Sequence, residues 1–307
     1  MASAAGSLES KSQVEYLNLE AKSLLNRCDS PRVPFDWTIN PYRGCEFGCH
    51  YCYARYTHEY MELDGQAFEQ KIFVKQDADR LLREELKRFS GKEIAIGTAT
   101  DPYQPAERRF RLTRRLLGVF AEHRGLSLSI TTKSNLVARD VDLLTVIAGH
   151  NRLHVNLTVT TVRARLARIL EPKAPRPQLR LEALGKLVSA GIDAGVFAAP
   201  ILPGITDPPR DLEMLFRAAR KAGARYLMVN PLFLPSCARK QFVPFLEKEF
   251  PKLAGRYRRR FQHGIFLPPE YKQWLGEVVK RLRGQYGLPS SPAEYPVEEM
   301  NAQLRLF

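Results

Sequence analysis

Cys45, Cys49 and Cys52 fall within one eight-residue stretch of a 307-residue chain that has five cysteines in all. The segment reads Asn40-Pro-Tyr-Arg-Gly-Cys-Glu-Phe-Gly-Cys-His-Tyr-Cys-Tyr53, a C-x3-C-x2-C spacing. Three thiolates this close together can wrap one face of a cubane iron–sulfur cluster. Gly44 and Gly48 permit the backbone bends that such a loop needs. No fourth cysteine follows nearby, so one iron is left open to a substrate or cofactor. The competing chemistry is structural zinc, which takes four protein ligands. His50 is the candidate fourth, but it lies between Cys49 and Cys52 and would strain that site.

The elements that must position this loop follow from periodicity. Short apolar runs at Asp36–Asn40, Glu93–Thr98, Ser127–Thr132, Leu153–Val159, Asp193–Ala199 and Arg225–Asn230 predict strands. Helical patterns lie between them at Asp77–Phe89, Arg109–Arg124, Asp140–Gly149, Arg176–Ala190 and Pro209–Gly223. Strands alternating with helices predict a parallel sheet with right-handed crossovers. Six such units make an open doubly wound sheet or an incomplete barrel, and periodicity alone does not choose. In either, function collects at the carboxyl ends of the strands. Those ends are polar or turn-forming, as in Gly97-Thr-Ala-Thr-Asp101 and Thr131-Thr-Lys133.

After about Leu234 the pattern is helical only. Residues 252–283 hold nine lysines and arginines against Glu270 and Glu277, which is half of the chain's net charge of +14. A basic excess of this size draws a protein toward phosphate-rich partners. The expected grips are Arg256, Arg258, Arg259, Arg260, Lys280 and Arg281. Tyr257, Phe261, Tyr271 and Trp274, interleaved among them, suit base stacking. The expected organisation is an N-terminal extension over 1–35, the βα series over 36–234, a basic helical region over 235–288 and a tail over 289–307. The N-terminal residues lack a secretory pattern, and no run approaches the ~20 apolar residues of a membrane span. The expectation is a cytoplasmic protein with no membrane partner. An odd cysteine count in such a chain argues against a disulfide framework.

The cysteine loop, with the aromatic Tyr51 just before the last cysteine, resembles the signature of the radical S-adenosylmethionine (SAM) superfamily. The likeness covers roughly Asp36 to Leu234 and implies an incomplete (β/α)6 barrel with the basic helices as a C-terminal extension. It implies a [4Fe–4S] cluster on Cys45, Cys49 and Cys52 whose open iron chelates SAM. One electron then cleaves the sulfonium to a 5′-deoxyadenosyl radical. A donor such as a flavodoxin or ferredoxin is implied as well. The nearer likeness is to the spore photoproduct lyase branch, carried by Asn40–Tyr60, Gly97–Gln104, Arg111–Arg115, Thr131–Lys133 and Pro200–Asp207. By that resemblance Tyr51 and Tyr53 flank SAM and the cluster, and Thr100 and Asp101 reach SAM. Lys133 meets the SAM carboxylate. Asn156, or else Thr158, contacts SAM from the fourth strand, and Ala198 and Ala199 pass the adenine.

The sequence departs from that branch at one place. Photoproduct lyases carry a hydrogen-donating cysteine three residues before the aspartate at the second strand's end; here Thr98 stands there, and its O–H bond is far stronger than a thiol S–H. Cys237, after the sixth strand, is either a substitute donor at the mouth or a packed small hydrophobe, the common fate of a free cysteine. Cys28 reads as structural. The sequence favours action on nucleic acid, by lesion repair or nucleotide modification. A peptide or small-metabolite substrate and a non-catalytic cluster or zinc protein that binds nucleic acid are the other readings.

Overall fold

The computed structural model describes residues 4–11, 14–31, 33–91 and 93–292. Most of the expected tail, residues 293–307, lies outside the described residues. Six strands lie side by side in chain order: β1 (Trp37–Ile39), β2 (Glu93–Ile96), β3 (Ser127–Thr132), β4 (Arg152–Thr158), β5 (Asp193–Ile201) and β6 (Leu227–Pro231). Every neighbouring pair is parallel. A doubly wound sheet must reverse its strand order at a switch point. This sheet never does, which settles the choice that periodicity left open: the architecture is an incomplete (β/α)6 barrel. Among the described strands β1 and β6 do not pair with each other. Asn26–Arg27 pairs antiparallel with the outer edge of β1.

Side-chain alternation sorts the two faces of this sheet. Ile94, Ile96, Leu128, Ile130, Val155 and Val196 point into one continuous core. The crossover helices α1 (Ala78–Leu86), α2 (Leu112–Ala121), α3 (Val141–His150), α4 (Pro177–Ser189) and α5 (Pro209–Lys221) fill it from outside. The opposite face carries small or polar residues. Thr131, Asn156 and Gly195 sit side by side across β3, β4 and β5. Gly195 is required there by Tyr226, whose ring would lie 2.3 Å from an added Cβ. The Tyr226 hydroxyl donates to Asn156 Oδ1 at 2.8 Å, so the ring closes the barrel under the polar layer.

The expected helix over Arg109–Arg124 is interrupted. Arg111 takes a left-handed φ of 52°, and α2 starts after it. The cause is Glu107, fully buried, whose carboxylate accepts the Thr113 and Arg114 N–H groups at 2.9 and 3.1 Å. It caps α2 from the preceding turn, and an acidic group suits a helix N-terminus. Tyr42 and Arg139 also donate to it, at 2.6 and 2.9 Å.

The N-terminal residues build more than an appendage. Val14–Leu19 pairs parallel with Lys71–Val74, which pairs antiparallel with Tyr42–Arg43, directly before the cysteine loop. Beyond the barrel come α6 (Ser236–Glu249), α7 (Pro251–Arg260) and α8 (Pro269–Tyr286). Phe242, Phe245 and Leu246 of α6 and Tyr257 of α7 share a second core with Cys45, Cys49 and Tyr51. Each such buried side chain contributes roughly 1.5–3 kcal/mol, so these helices hold the cysteine loop down. No helix among the described residues is long and apolar enough to cross a membrane.

Gly195→Ala should therefore destabilise the barrel by about 1–3 kcal/mol through overpacking against Tyr226. Urea unfolding measures this; an unchanged midpoint would show that the ring has room to swing.

Candidate active site

The cysteine loop leaves the end of β1 and is held at one carbonyl. Gly44 O accepts from Thr100 Oγ1 at 2.6 Å and from Gln104 Nε2 at 2.9 Å, and Gln104 Oε1 accepts the Glu46 N–H at 3.0 Å. Both clamping residues come from the turn after β2. Gly44 has φ of 88°, and a Cβ there would lie 2.6 Å from Lys71 O. The loop is thus wedged between the small sheet and the β2 turn, and no side chain fits at its entry. Cys45 N donates to Phe68 O at 3.0 Å, and Cys52 N to Cys49 O at 3.2 Å.

Burial pushes the Cys45 thiol well up, Cys49 up to about 12, and Cys52 up as well. Buried thiols like these ionise when a metal takes the thiolates. Among the described residues no three metal-ligating side chains converge on one point, as a mononuclear site requires. A cubane attaches its cysteines to separate irons, so the donor set and the wedged loop fit that group.

The SAM-facing residues expected from sequence gather at the same end of the barrel, and several have partners within the protein. Asp101 is buried. Its carboxylate accepts the Tyr103 N–H (2.9 Å), the Thr132 hydroxyl (2.6 Å) and the Lys133 N–H (2.7 Å). It ties the ends of β2 and β3 and sets where Lys133 starts. The Lys133 ammonium sits 5.7 Å from the centre of the Tyr51 ring. Burial opposes that charge, but Cys49 and Glu171 outweigh it and hold its pKa above the usual range. Thr100 acts as the clamp already described. Asn156 spans Thr131 and Tyr226, and Thr158 lends its carbonyl to Arg180 at 3.0 Å. On β5 the two alanines separate. Ala198 turns its side chain into the helix-side core, while Ala199 shares the parity of Gly195 and Phe197 on the inner face.

Sequence reasoning missed Glu171 and Arg180. Tyr51 donates its hydroxyl to Glu171, which also accepts from Thr160 at 3.0 Å and pairs with Arg180 at 2.5 Å. Glu171 and Arg180 are each 1% exposed. The charged pair fixes the ring that precedes Cys52. Nothing in the sequence marks it, because Glu171 stands 120 residues from Tyr51 and reads as a helix end.

Tyr53 is partly exposed, and its hydroxyl donates to Thr98 O at the end of β2. The Thr98 hydroxyl accepts from Asn40 Nδ2 at 3.1 Å. Cys237 Sγ lies 3.4 Å from Tyr53 O, and the residue is 5% exposed. Cys237 therefore packs beneath the mouth, against the cysteine loop. Cys28 also comes near: burial first, then Cys52, Tyr56 and Cys28, push the Tyr53 hydroxyl up.

From Tyr53 a run of rings follows the rim. Centroid spacings are 5.2 Å for Phe266–Phe233, 5.9 Å for Phe233–Tyr53, 6.3 Å for Tyr53–Tyr56 and 5.3 Å for Tyr56–Tyr60. Tyr60 is 81% exposed, Tyr53 39% and Phe266 37%. Lys272 Nζ lies 5.3 Å from the Phe266 ring at one end.

The basic helices correct one expectation. Tyr257 and Phe261 are each 1% exposed and belong to the second core, so they offer no stacking platform. Trp274 is exposed, and Tyr271 is half-buried with its hydroxyl on Asp207 at 2.9 Å. Arg256, Arg258, Arg259, Arg260, Lys280 and Arg281 are all exposed. Arg258 pairs with Glu247, and the Arg260 guanidinium lies 5.6 Å over Tyr271.

The radical SAM superfamily model matches residues 39–219, which take in the wedged three-cysteine loop and β2 to β5 of the barrel. The chain belongs to the radical SAM superfamily, and it is an enzyme of that kind. An uncharacterised protein of Mycobacterium tuberculosis is 37% identical over 93% of this chain and 85% of its own length. An uncharacterised protein of Methanocaldococcus jannaschii is 30% identical over 89% and 95%. Among solved structures, a spore photoproduct lyase variant superimposes with a TM-score of 0.66 at 18% identity, covering 88% of this chain and 79% of the other. Streptococcus suis SuiB bound to the precursor peptide SuiA gives 0.54 at 15% identity, over 87% and 50%. At these identities the structural likeness speaks to fold.

The clamp generates a test. Gln104→Leu leaves Glu46 N–H without its acceptor and Gly44 O with one donor fewer, a cost of about 1–3 kcal/mol. The expected result is less iron per chain after anaerobic purification and faster loss to a chelator, with far-ultraviolet circular dichroism unchanged. Wild-type iron retention would mean that Thr100 alone suffices.

Proposed function

We propose that this radical SAM enzyme acts on nucleic acid, in lesion repair or nucleotide modification. The observation that carries the reading is the half-exposed ring run Phe266–Phe233–Tyr53–Tyr56–Tyr60, which passes beside the cysteine loop and meets the Lys272 ammonium at its Phe266 end. Rings at this spacing suit unstacked bases, each base–ring contact being worth about 1–3 kcal/mol. The exposed arginines of α7 and α8 would add phosphate contacts.

In this reading Cys45, Cys49 and Cys52 would hold a [4Fe–4S] cluster next to the SAM site, and the bound pair would supply a 5′-deoxyadenosyl radical. The protein's own residues do the positioning. Lys133 presents a cation to the SAM carboxylate, with its backbone fixed by Asp101. Tyr51, locked by Glu171, walls the same space, and Asn156, Thr158 and Ala199 line it from β4 and β5. A flavodoxin or ferredoxin is the proposed electron source. The compartment that suits this chemistry is the reducing cytoplasm. Thr98 cannot return a hydrogen atom as a thiol does, and Cys237, below Tyr53, is the proposed donor where a reaction needs one.

Changing Cys45, Cys49 or Cys52 to Ala should abolish the cluster, whereas Lys133→Ala should keep it and weaken SAM binding at least several-fold. Reconstituted protein that contains stoichiometric zinc and no iron would end the cofactor assignment.

Substrate is tested by anaerobic incubation with SAM and single-stranded or lesion-bearing DNA or RNA, scoring 5′-deoxyadenosine. Nucleic acid should raise its formation, spore photoproduct should not be repaired efficiently, and replacing Arg256, Arg259 and Arg281 with Ala should flatten the salt dependence of binding by up to ~0.9 per lost duplex phosphate contact. No response to any nucleic acid, with a response to peptides, would move the assignment to a peptide substrate.

A further inference from the structure

Two cations close to the cysteine loop, Arg43 and Lys75, have no counter-ion among the described residues. In the small sheet Tyr42 pairs with Val74 and Arg43 with Phe73. Tyr42, Val74 and Ile72 turn into the small core with Val14 and Tyr16. By alternation Arg43, Phe73 and Lys75 share the opposite face. That face meets the helix after the cysteine loop, where the Phe73 ring lies 5.7 Å from His58. Lys75 is only 8% exposed, and Arg43 is half-buried. Neither side chain has a hydrogen-bond or ion-pair partner among the described residues. The acidic group nearest in effect is Glu85, but both of its oxygens are occupied by the Leu24 and Leu25 N–H groups, at 2.8–3.2 Å. Burial, then the Arg43 charge, lower the Lys75 ammonium to about 8, with Glu85 opposing.

An ammonium carried on a residue this buried, with a second cation on the same face, is costly unless an anion joins them. Arg43 precedes Cys45 by two residues, and its charge couples to the Tyr56 ring hydroxyl, a member of the rim run. We infer that Arg43 and Lys75 form a seat for one phosphate of the substrate, placed so that the adjoining base lies along Tyr56 and Tyr53. This rests on the nucleic-acid reading for the identity of the phosphate's owner, while the seat itself rests on the unpaired cations. A guanidinium fork and a point-charge ammonium are suited to a phosphodiester's two free oxygens.

The test uses cluster-loaded protein with SAM saturating throughout, so that a seat filled by the SAM carboxylate would show itself. Thermal unfolding is followed in inorganic phosphate and in chloride of equal ionic strength, for wild type, Lys75→Met and Lys75→Arg. Wild type and Lys75→Arg should gain on the order of 2–4 °C in phosphate at tenfold its dissociation constant. Lys75→Met should gain nothing, yet should match or exceed wild type in chloride, because an unpaired buried charge has been removed. A merely structural lysine would give the opposite sign in chloride. Single-stranded DNA titrations over several salt concentrations then identify the owner: Lys75→Met should bind several-fold more weakly, with a slope flatter by about 0.7. No phosphate gain in wild type, or an equal gain in Lys75→Met, overturns the seat. A seat that responds to phosphate while the DNA slope is unchanged supports the seat and removes the nucleic-acid reading.

Discussion

The carbonyl of Gly44 is the point on which the rest of the site depends. A cysteine loop of eight residues has almost no regular structure of its own, so its shape must be imposed from outside. Thr100 and Gln104 grip it from the β2 turn, and Lys71 and Phe68 crowd it from the other side so that only glycine passes. Because the grip comes from the end of β2, the loop's height is fixed by the barrel itself. Asp101, one residue on from Thr100, extends the same arrangement to β3 and Lys133. One short turn thus sets the loop and the cation that faces it. A backbone clamp of this kind suits a site whose ligands must be in place before the metal arrives.

Polar residues on the barrel's inner face hold one another in place. Asn156 bridges Thr131 and Tyr226, and Glu171 gathers Tyr51, Thr160 and Arg180. Fully satisfied buried networks rigidify their surroundings. Arg43 and Lys75, which have no such partners among the described residues, stand out by contrast.

The barrel was legible in the sequence because each βα unit is local: a strand, a turn and a helix within about 30 residues, each with its own period. The cysteine loop and the strand-end polar residues were legible for the same reason. The small sheet was not, since its strands run from two to eight residues and Val14–Leu19 finds Lys71–Val74 across 56 positions. The Glu171–Arg180 lock was likewise a product of distant parts meeting. The misreading of Tyr257 and Phe261 had a remedy in the sequence. With Leu253 and Ala254 they fall at helical spacing, and an apolar stripe of that period faces a core; the arginines between them mark the wet side. Arg111 shows a different limit, because the helix break there is dictated by Glu107, whose capping role depends on its depth and not on its neighbours.

The barrel's failure to close leaves two exposed sheet margins, and such margins are templates for stray pairing between chains. Each is covered by a different device. Asn26–Arg27 gives β1 a partner only two residues long, too short to recruit another strand. On the far margin, Leu227 N donates to Pro289 O at 2.9 Å, so the chain returns after α8 to shield β6, and it does so with a proline, which has no N–H to offer a further strand. An open barrel gains a wide doorway for a bulky guest and, with it, the risk of sticking to its own copies. Here the segment that guards against self-association is the return after α8, so shortening the protein at Leu288 would uncover the margin of β6 and favour pairing between copies.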